Sequence, residues 1–115
     1  MESFKLEMIF KMQEELMLML EKNKSHGTLE EKTQMSKSAI LAGVAEMVEV
    51  LNEMNWKPWK KVKKQVNEKK IKEELIDVLH FVIELMIIWR VSPEDAFKAF
   101  TKKHLINMER QKGGY

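Results

Sequence analysis

The sequence predicts an all-α protein, a compact bundle of four to five helices, from three observations. Only four of the 115 residues are glycine and two are proline, so chain breakers are scarce. Glu, Lys, Leu and Met dominate, and each is a good helix former. No stretch alternates apolar and polar residues in the manner of a half-buried strand. With 44% hydrophobic residues, the length suits one domain over residues 1–115.

Residues 3–22 place Leu6, Ile9, Phe10, Leu16, Met17 and Leu20 on one helical stripe, with Gln13 inside it. Four glutamates in the first twenty residues, and the lack of a basic start, distinguish this amphipathic helix from a signal peptide. Residues 23–33, with Ser25, His26 and Gly27, break the pattern and read as a connection. A second helix is expected over residues 34–55. Residues 39–51 are apolar nearly all round apart from Glu46 and Glu49, which predicts a helix buried on most sides and, in so small a chain, a dimer.

Trp56-Lys57-Pro58-Trp59-Lys60 ends that helix, because the residue before a proline disfavours the α conformation. Residues 57–72 hold eight lysines against the single acid Glu68, a charge asymmetry suited to a polyanionic ligand and expected in a partly mobile segment. A third helix over residues 67–90 turns apolar after Leu75, with Asp77, His80 and Glu84 as its interior polar residues. Ser92-Pro93-Glu94-Asp95 is a helix start, with an N-cap serine, proline at the first helical position and acids in the first turn. The helix it opens should reach about Gln111. No apolar run is long enough to span a membrane and no cysteine is present, so a cytoplasmic protein without disulfides or thiolate metal sites is expected.

The chemistry is carried by two acidic pairs set among apolar residues, Glu46 with Glu49 and Glu74 with Asp77. Members of each pair are three apart and share one helix face. Packed together, two such helices would gather four carboxylates. Two unit charges about 5 Å apart repel by roughly 3 kcal/mol at an effective dielectric near 20, so the cluster needs protons or cations. Mg²⁺ takes hard oxygen ligands and commonly shares them with substrate phosphates. Divalent ions there would polarise phosphorus, acidify a bound water and stabilise a leaving oxygen, which is the chemistry of nucleotide hydrolysis. The alternative is a set of solvated or salt-bridged acids, with Glu53 and Glu73 as ordinary surface acids. A di-iron bundle is disfavoured, since only Asp77-Val78-Leu79-His80 approaches the required Glu-x-x-His motif.

In order along the chain, Glu46-Met47-Val48-Glu49 and Glu74-Leu75-Ile76-Asp77 resemble the magnesium signature of the all-α nucleoside triphosphate pyrophosphatases, the MazG-related superfamily. The Leu51-Asn52-Glu53 and Trp56-Lys57-Pro58-Trp59-Lys60 stretches, Asp77-Val78-Leu79-His80-Phe81, and the series Lys103, Asn107, Arg110-Gln111 and Tyr115 are similar to motifs of its dimeric dUTPase branch. The resemblance runs from Gln13 to the last residue.

It implies a magnesium-dependent dUTP diphosphatase converting dUTP, and also dUDP, to dUMP, with pyrophosphate released from dUTP and attack favoured at the β phosphorus. Glu46, Glu49, Glu74 and Asp77 would hold two or more Mg²⁺ ions, with Mn²⁺ as a substitute, and Glu46 or Glu49 would be the base. Gln13 would read a pyrimidine edge, Trp56, Phe81 and His80 would surround uracil, and Lys57, Lys60, Lys103, Asn107, Arg110 and Tyr115 would hold phosphates. Met17 stands where relatives commonly carry a small polar residue, and the chain is short for the branch, which implies a compact version. The implied partners are a deoxyuridine nucleotide and a second copy of the chain. The competing readings are a pyrophosphohydrolase of the same fold acting on another or several nucleotides, and a non-enzymatic basic helical module binding nucleic acid.

Overall fold

A computed structural model describes residues 3–20 and 26–114, all helix and connection. The helices are α1 (Ser3–Met19), α2 (Leu29–Glu53), α3 (Glu68–Ile88) and α4 (Pro93–Lys112). The all-α expectation of four to five helices holds among the described residues, which form four. None of these helices is long and apolar enough to cross a membrane.

α2 begins five residues before the expected Gln34. The cause is a capping box: Thr28 Oγ1 accepts from the Glu31 N–H at 3.1 Å, and Glu31 Oε1 accepts from the Thr28 N–H at 3.0 Å. Residues 21–22 of the first expected helix and 23–25 of the expected connection lie outside the described residues. α4 starts as expected, with Ser92 Oγ accepting from the Asp95 N–H at 3.0 Å and Asp95 answering at 3.2 Å. Between them, α3 ends in a Schellman turn, in which Val91 N–H reaches Met86 C=O at 2.8 Å and Arg90 N–H reaches Ile87 C=O at 3.0 Å. The turn puts Arg90 at φ 58°, in the left-handed region where glycine is the usual residue.

The broadest packing is α2 against α3; α1 lies on α3, and among the described residues the backbone of α4 comes close to that of α1 and not of α2 or α3. Phe10 and Met17 of α1 bury against Ile83, Ile87 and Ile88 of α3, with Leu6, Met35, Met86 and Ala96 around them. The buried stripe of α1 is therefore narrower than its sequence pattern, since Ile9, Leu16 and Leu20 are exposed. α2 is not buried on most sides within one chain either: Ile40, Leu41, Val44 and Met47 are all about half exposed or more.

α2 and α3 run antiparallel, and their paired residues fix the register. Trp89 Nε1 donates to Ser36 Oγ at 2.7 Å. A Cβ added to Gly43 would stand 3.4 Å from the Phe81 Cβ, so Gly43 lets the helices approach. Further along, Lys70 Nζ reaches Glu53 Oε2 at 3.2 Å. The acidic pairs fall between these last two contacts.

Candidate metal and nucleotide site

Glu46 and Glu49 leave one face of α2, Glu74 and Asp77 the facing side of α3. The register brings Glu46, Glu74 and Asp77 together, with one carboxylate oxygen of each within 4.8 Å of the others. Glu46 and Glu74 are half-buried and Asp77 is exposed. Glu46 Oε2 and Glu74 Oε2 are buried and have no hydrogen-bond partner. Such oxygens are costly unless something cationic satisfies them. The Glu46 carboxylate beside Glu74 holds its pKa above the usual carboxylate value; burial and Asp77 push the same way, while a contact with Glu49 opposes them. Three hard oxygen donors at this spacing, on acids two of which keep an orphaned oxygen, fit a divalent cation. Glu49 is exposed and lies beside Glu74 and outside that oxygen set.

One turn beyond Asp77, His80 Nδ1 and Gln13 Oε1 are 2.7 Å apart. Gln13 is only 4% exposed, so its amide is oriented by this bond, and the two residues assigned to the base from sequence meet in space. Phe81 packs on Gly43 between α2 and α3. Met17 is fully buried among core residues and is a packing residue.

On the other side of the acids, the lysine-rich connection is tied down. Asn55 Nδ2 donates to the Lys64 carbonyl at 2.8 Å and its Oδ1 accepts from the Lys64 N–H at 3.1 Å, closing residues 55–64 into a loop. Trp56 Nε1 donates to Asn52 Oδ1 at 3.2 Å, its ring meets Trp59 edge-on at 5.7 Å, and Lys57 Nζ lies 5.5 Å from its centroid. A cleft of about 380 Å³ opens here, with Trp56, Lys57, Lys60, Lys63 and Lys64 in its wall. Trp56 thus belongs with the lysines, and Phe81 with the helix seam.

Glu53, read from sequence as an ordinary surface acid, has a side chain only 13% exposed that pairs with Lys70 at 3.2 Å and Lys64 at 3.6 Å. The hydrogen bond from Lys70 is the main reason its carboxyl is held below the usual range. The same bond raises Lys70, with smaller contributions from Glu74 and Glu49. Its spacing from Glu49, four residues on the same face, was the available signal.

Lys103, Asn107 and Arg110 share a face of α4, but that helix is exposed from Phe97 onward and meets neither α2 nor α3. One chain does not bring them to the acids. Tyr115 lies outside the described residues.

The sequence profile of the dUTPase family matches residues 5–96. The dCTP pyrophosphatase of Enterobacteria phage T4 is 37% identical over 49 residues, covering 43% of this chain and 29% of that protein. The matched stretch spans less than a third of the length of that relative. No solved structure matches.

Proposed function

The chain belongs to the dUTPase family of all-α nucleoside triphosphate pyrophosphatases, and on that premise we propose that it is a magnesium-dependent dUTP diphosphatase. It hydrolyses dUTP to dUMP and pyrophosphate, and accepts dUDP. The observation that carries this reading is the convergence of Glu46, Glu74 and Asp77 oxygens within 4.8 Å, two of whose acids keep an orphaned buried oxygen.

These three residues, joined by Glu49, would hold the metal, which when bound supplies Lewis-acid polarisation of the phosphate chain. Glu49 stands outside the oxygen set, which favours it over Glu46 as the base that takes the proton of the attacking water. Lys57 and Lys60 hold phosphate oxygens through charge-assisted hydrogen bonds, and Trp56 shields them. The Gln13–His80 pair presents polar edges to the base, beside Phe81.

The working form is a homodimer of single-domain chains in the cytoplasm. The exposed area of one chain, 9425 Å², is about 2800 Å² above that expected for a self-contained monomer of this size, an excess that a partner would cover in part. The half-exposed stripe Ile40, Val44 and Met47 of α2 supplies an apolar surface for the second copy. In that dimer Lys103, Asn107, Arg110 and Tyr115 complete the phosphate end. A pyrophosphohydrolase acting on another or several nucleotides is the second reading, favoured by the likeness to a dCTP pyrophosphatase.

Product analysis with Mg²⁺ and each of dUTP, dCTP, dTTP, dATP, dGTP and UTP decides between them, with Glu49→Ala as control. Selective conversion of dUTP to dUMP, lost in the variant, supports the first reading. Turnover of several nucleotides supports the second, and no turnover of any removes both.

A further inference from the structure

Glu53 joins two cations that come from different parts of the molecule. Lys64, at the closing end of the basic loop, and Lys70, in the first turn of α3, both bind its Oε2, at 3.6 and 3.2 Å. Lys70 is itself fixed at its backbone, where its N–H donates to the Asn67 side chain at 3.1 Å. Glu53 is the last residue of α2, one turn past Glu49, and Lys70 is one turn before Glu74. The carboxylate therefore stands where the acidic seam ends and the lysine-lined cleft begins. Asn55 holds the backbone neck of the loop, and Glu53 holds its side-chain face.

We infer that Glu53 is a positioning residue that latches the basic cleft in register with the acidic cluster, so that one polyphosphate chain spans both. The inference deepens the pyrophosphohydrolase reading and rests on it for the identity of the polyphosphate. Without the latch, the Lys64 and Lys70 side chains and the loop they flank regain freedom, and each bound anion must pay to order them. The latch acts on substrate binding and not on the bond-breaking step, because the Glu53 carboxylate is occupied by two lysines.

Removing Glu53 changes two things of opposite sign. Deleting a negative charge beside a cationic cleft, by itself, strengthens anion binding. Deleting the latch weakens it. The sign of the effect therefore separates a positioning residue from a neighbouring charge.

The test is titration of the metal-free protein with inorganic tripolyphosphate, read by tryptophan fluorescence, to which Trp56 and Trp59 contribute at the loop and Trp89 as a distant background, for wild type, Glu53→Gln and the control Glu68→Gln. Glu68→Gln removes an equal charge from an exposed position at the start of α3. The expected result is affinity about tenfold weaker in Glu53→Gln, the equivalent of one charge-assisted contact, and unchanged or slightly tighter in Glu68→Gln. In steady-state hydrolysis Glu53→Gln should raise KM with kcat little altered. Unchanged or tighter tripolyphosphate binding in Glu53→Gln overturns the latch, as does a loss confined to kcat. The titration needs no turnover: an inactive wild type would remove the enzymatic reading and still leave the latch decided. Circular dichroism of each variant establishes that it is folded.

Discussion

Gln13 and His80, 67 positions apart in sequence, meet through a 2.7 Å bond between Oε1 and Nδ1 that ties α1 to α3. An amide oxygen only accepts, so Nδ1 carries the proton and the buried amide is held in one of its two orientations. A fixed amide discriminates pyrimidines, because uracil and cytosine exchange donor for acceptor at the edge they present. His80→Ala releases the amide to turn either way. The ratio of kcat/KM for dUTP over dCTP should then fall about tenfold, the scale of one misplaced hydrogen bond. An unchanged ratio would mean that the base is read elsewhere.

Glu74 sets a pH dependence for metal stabilisation. Its pKa is raised by the Glu46 carboxylate and by burial, so the folded state holds this proton more tightly than the unfolded state does. The stability it contributes is present below the usual glutamate range and is lost as pH rises through the raised value. Metal-free protein should lose stability over that interval, and Mg²⁺ should restore it. Melting curves with EDTA and with Mg²⁺ at pH 5 and pH 8 should show the larger magnesium-dependent Tm increase at pH 8. An equal or larger increase at pH 5 contradicts the assignment of Glu74 to the cation.

Arg90 closes the α3 Schellman turn at φ 58°, without the freedom of glycine. Arg90→Gly should stabilise the protein by about 0.5–1 kcal/mol, and Arg90→Val, β-branched at a left-handed position, should destabilise it by at least as much. Urea denaturation of the three forms checks the order.

Met17 is fully enclosed by the α1–α3 core. Met17→Ser puts a cavity and a hydroxyl there and should cost about 3 kcal/mol. If the variant instead kept its stability and gained selectivity for dUTP, Met17 would belong to the base pocket.

The Phe10, Gln13 and Met17 line of α1, the serine cap of α4 and the spacing of the two acidic pairs were readable because each depends on residues within two turns of one another. The start of α2 was also written locally, in Thr28 and Glu31, but the Ser25-His26-Gly27 cluster beside it is an equally strong loop signal. Glu53 escaped because its partners are Lys64 and Lys70, 11 and 17 residues on, and among eight lysines no local rule picks two. The direction of α4 was illegible for another reason. Its cap and face are local, but the angle at which it leaves Arg90 depends on what packs against it, and Phe97 and Phe100 stay largely exposed among the described residues.

From the α1–α3 contact, along α3 to the basic loop, the chemical character changes in steps of about one turn: an amide and imidazole at Gln13 and His80, then carboxylates at Asp77, Glu46 and Glu74, then ammoniums at Lys70 and Lys64. A nucleotide carries the same progression, a neutral heterocycle followed by a string of negative charge. A row of groups graded in this way has a compass direction. A nucleotide laid in backwards would set its phosphates against the buried amide and its base among solvated lysines, so under the proposed function the gradient would order the two ends of the ligand before any single contact identified it.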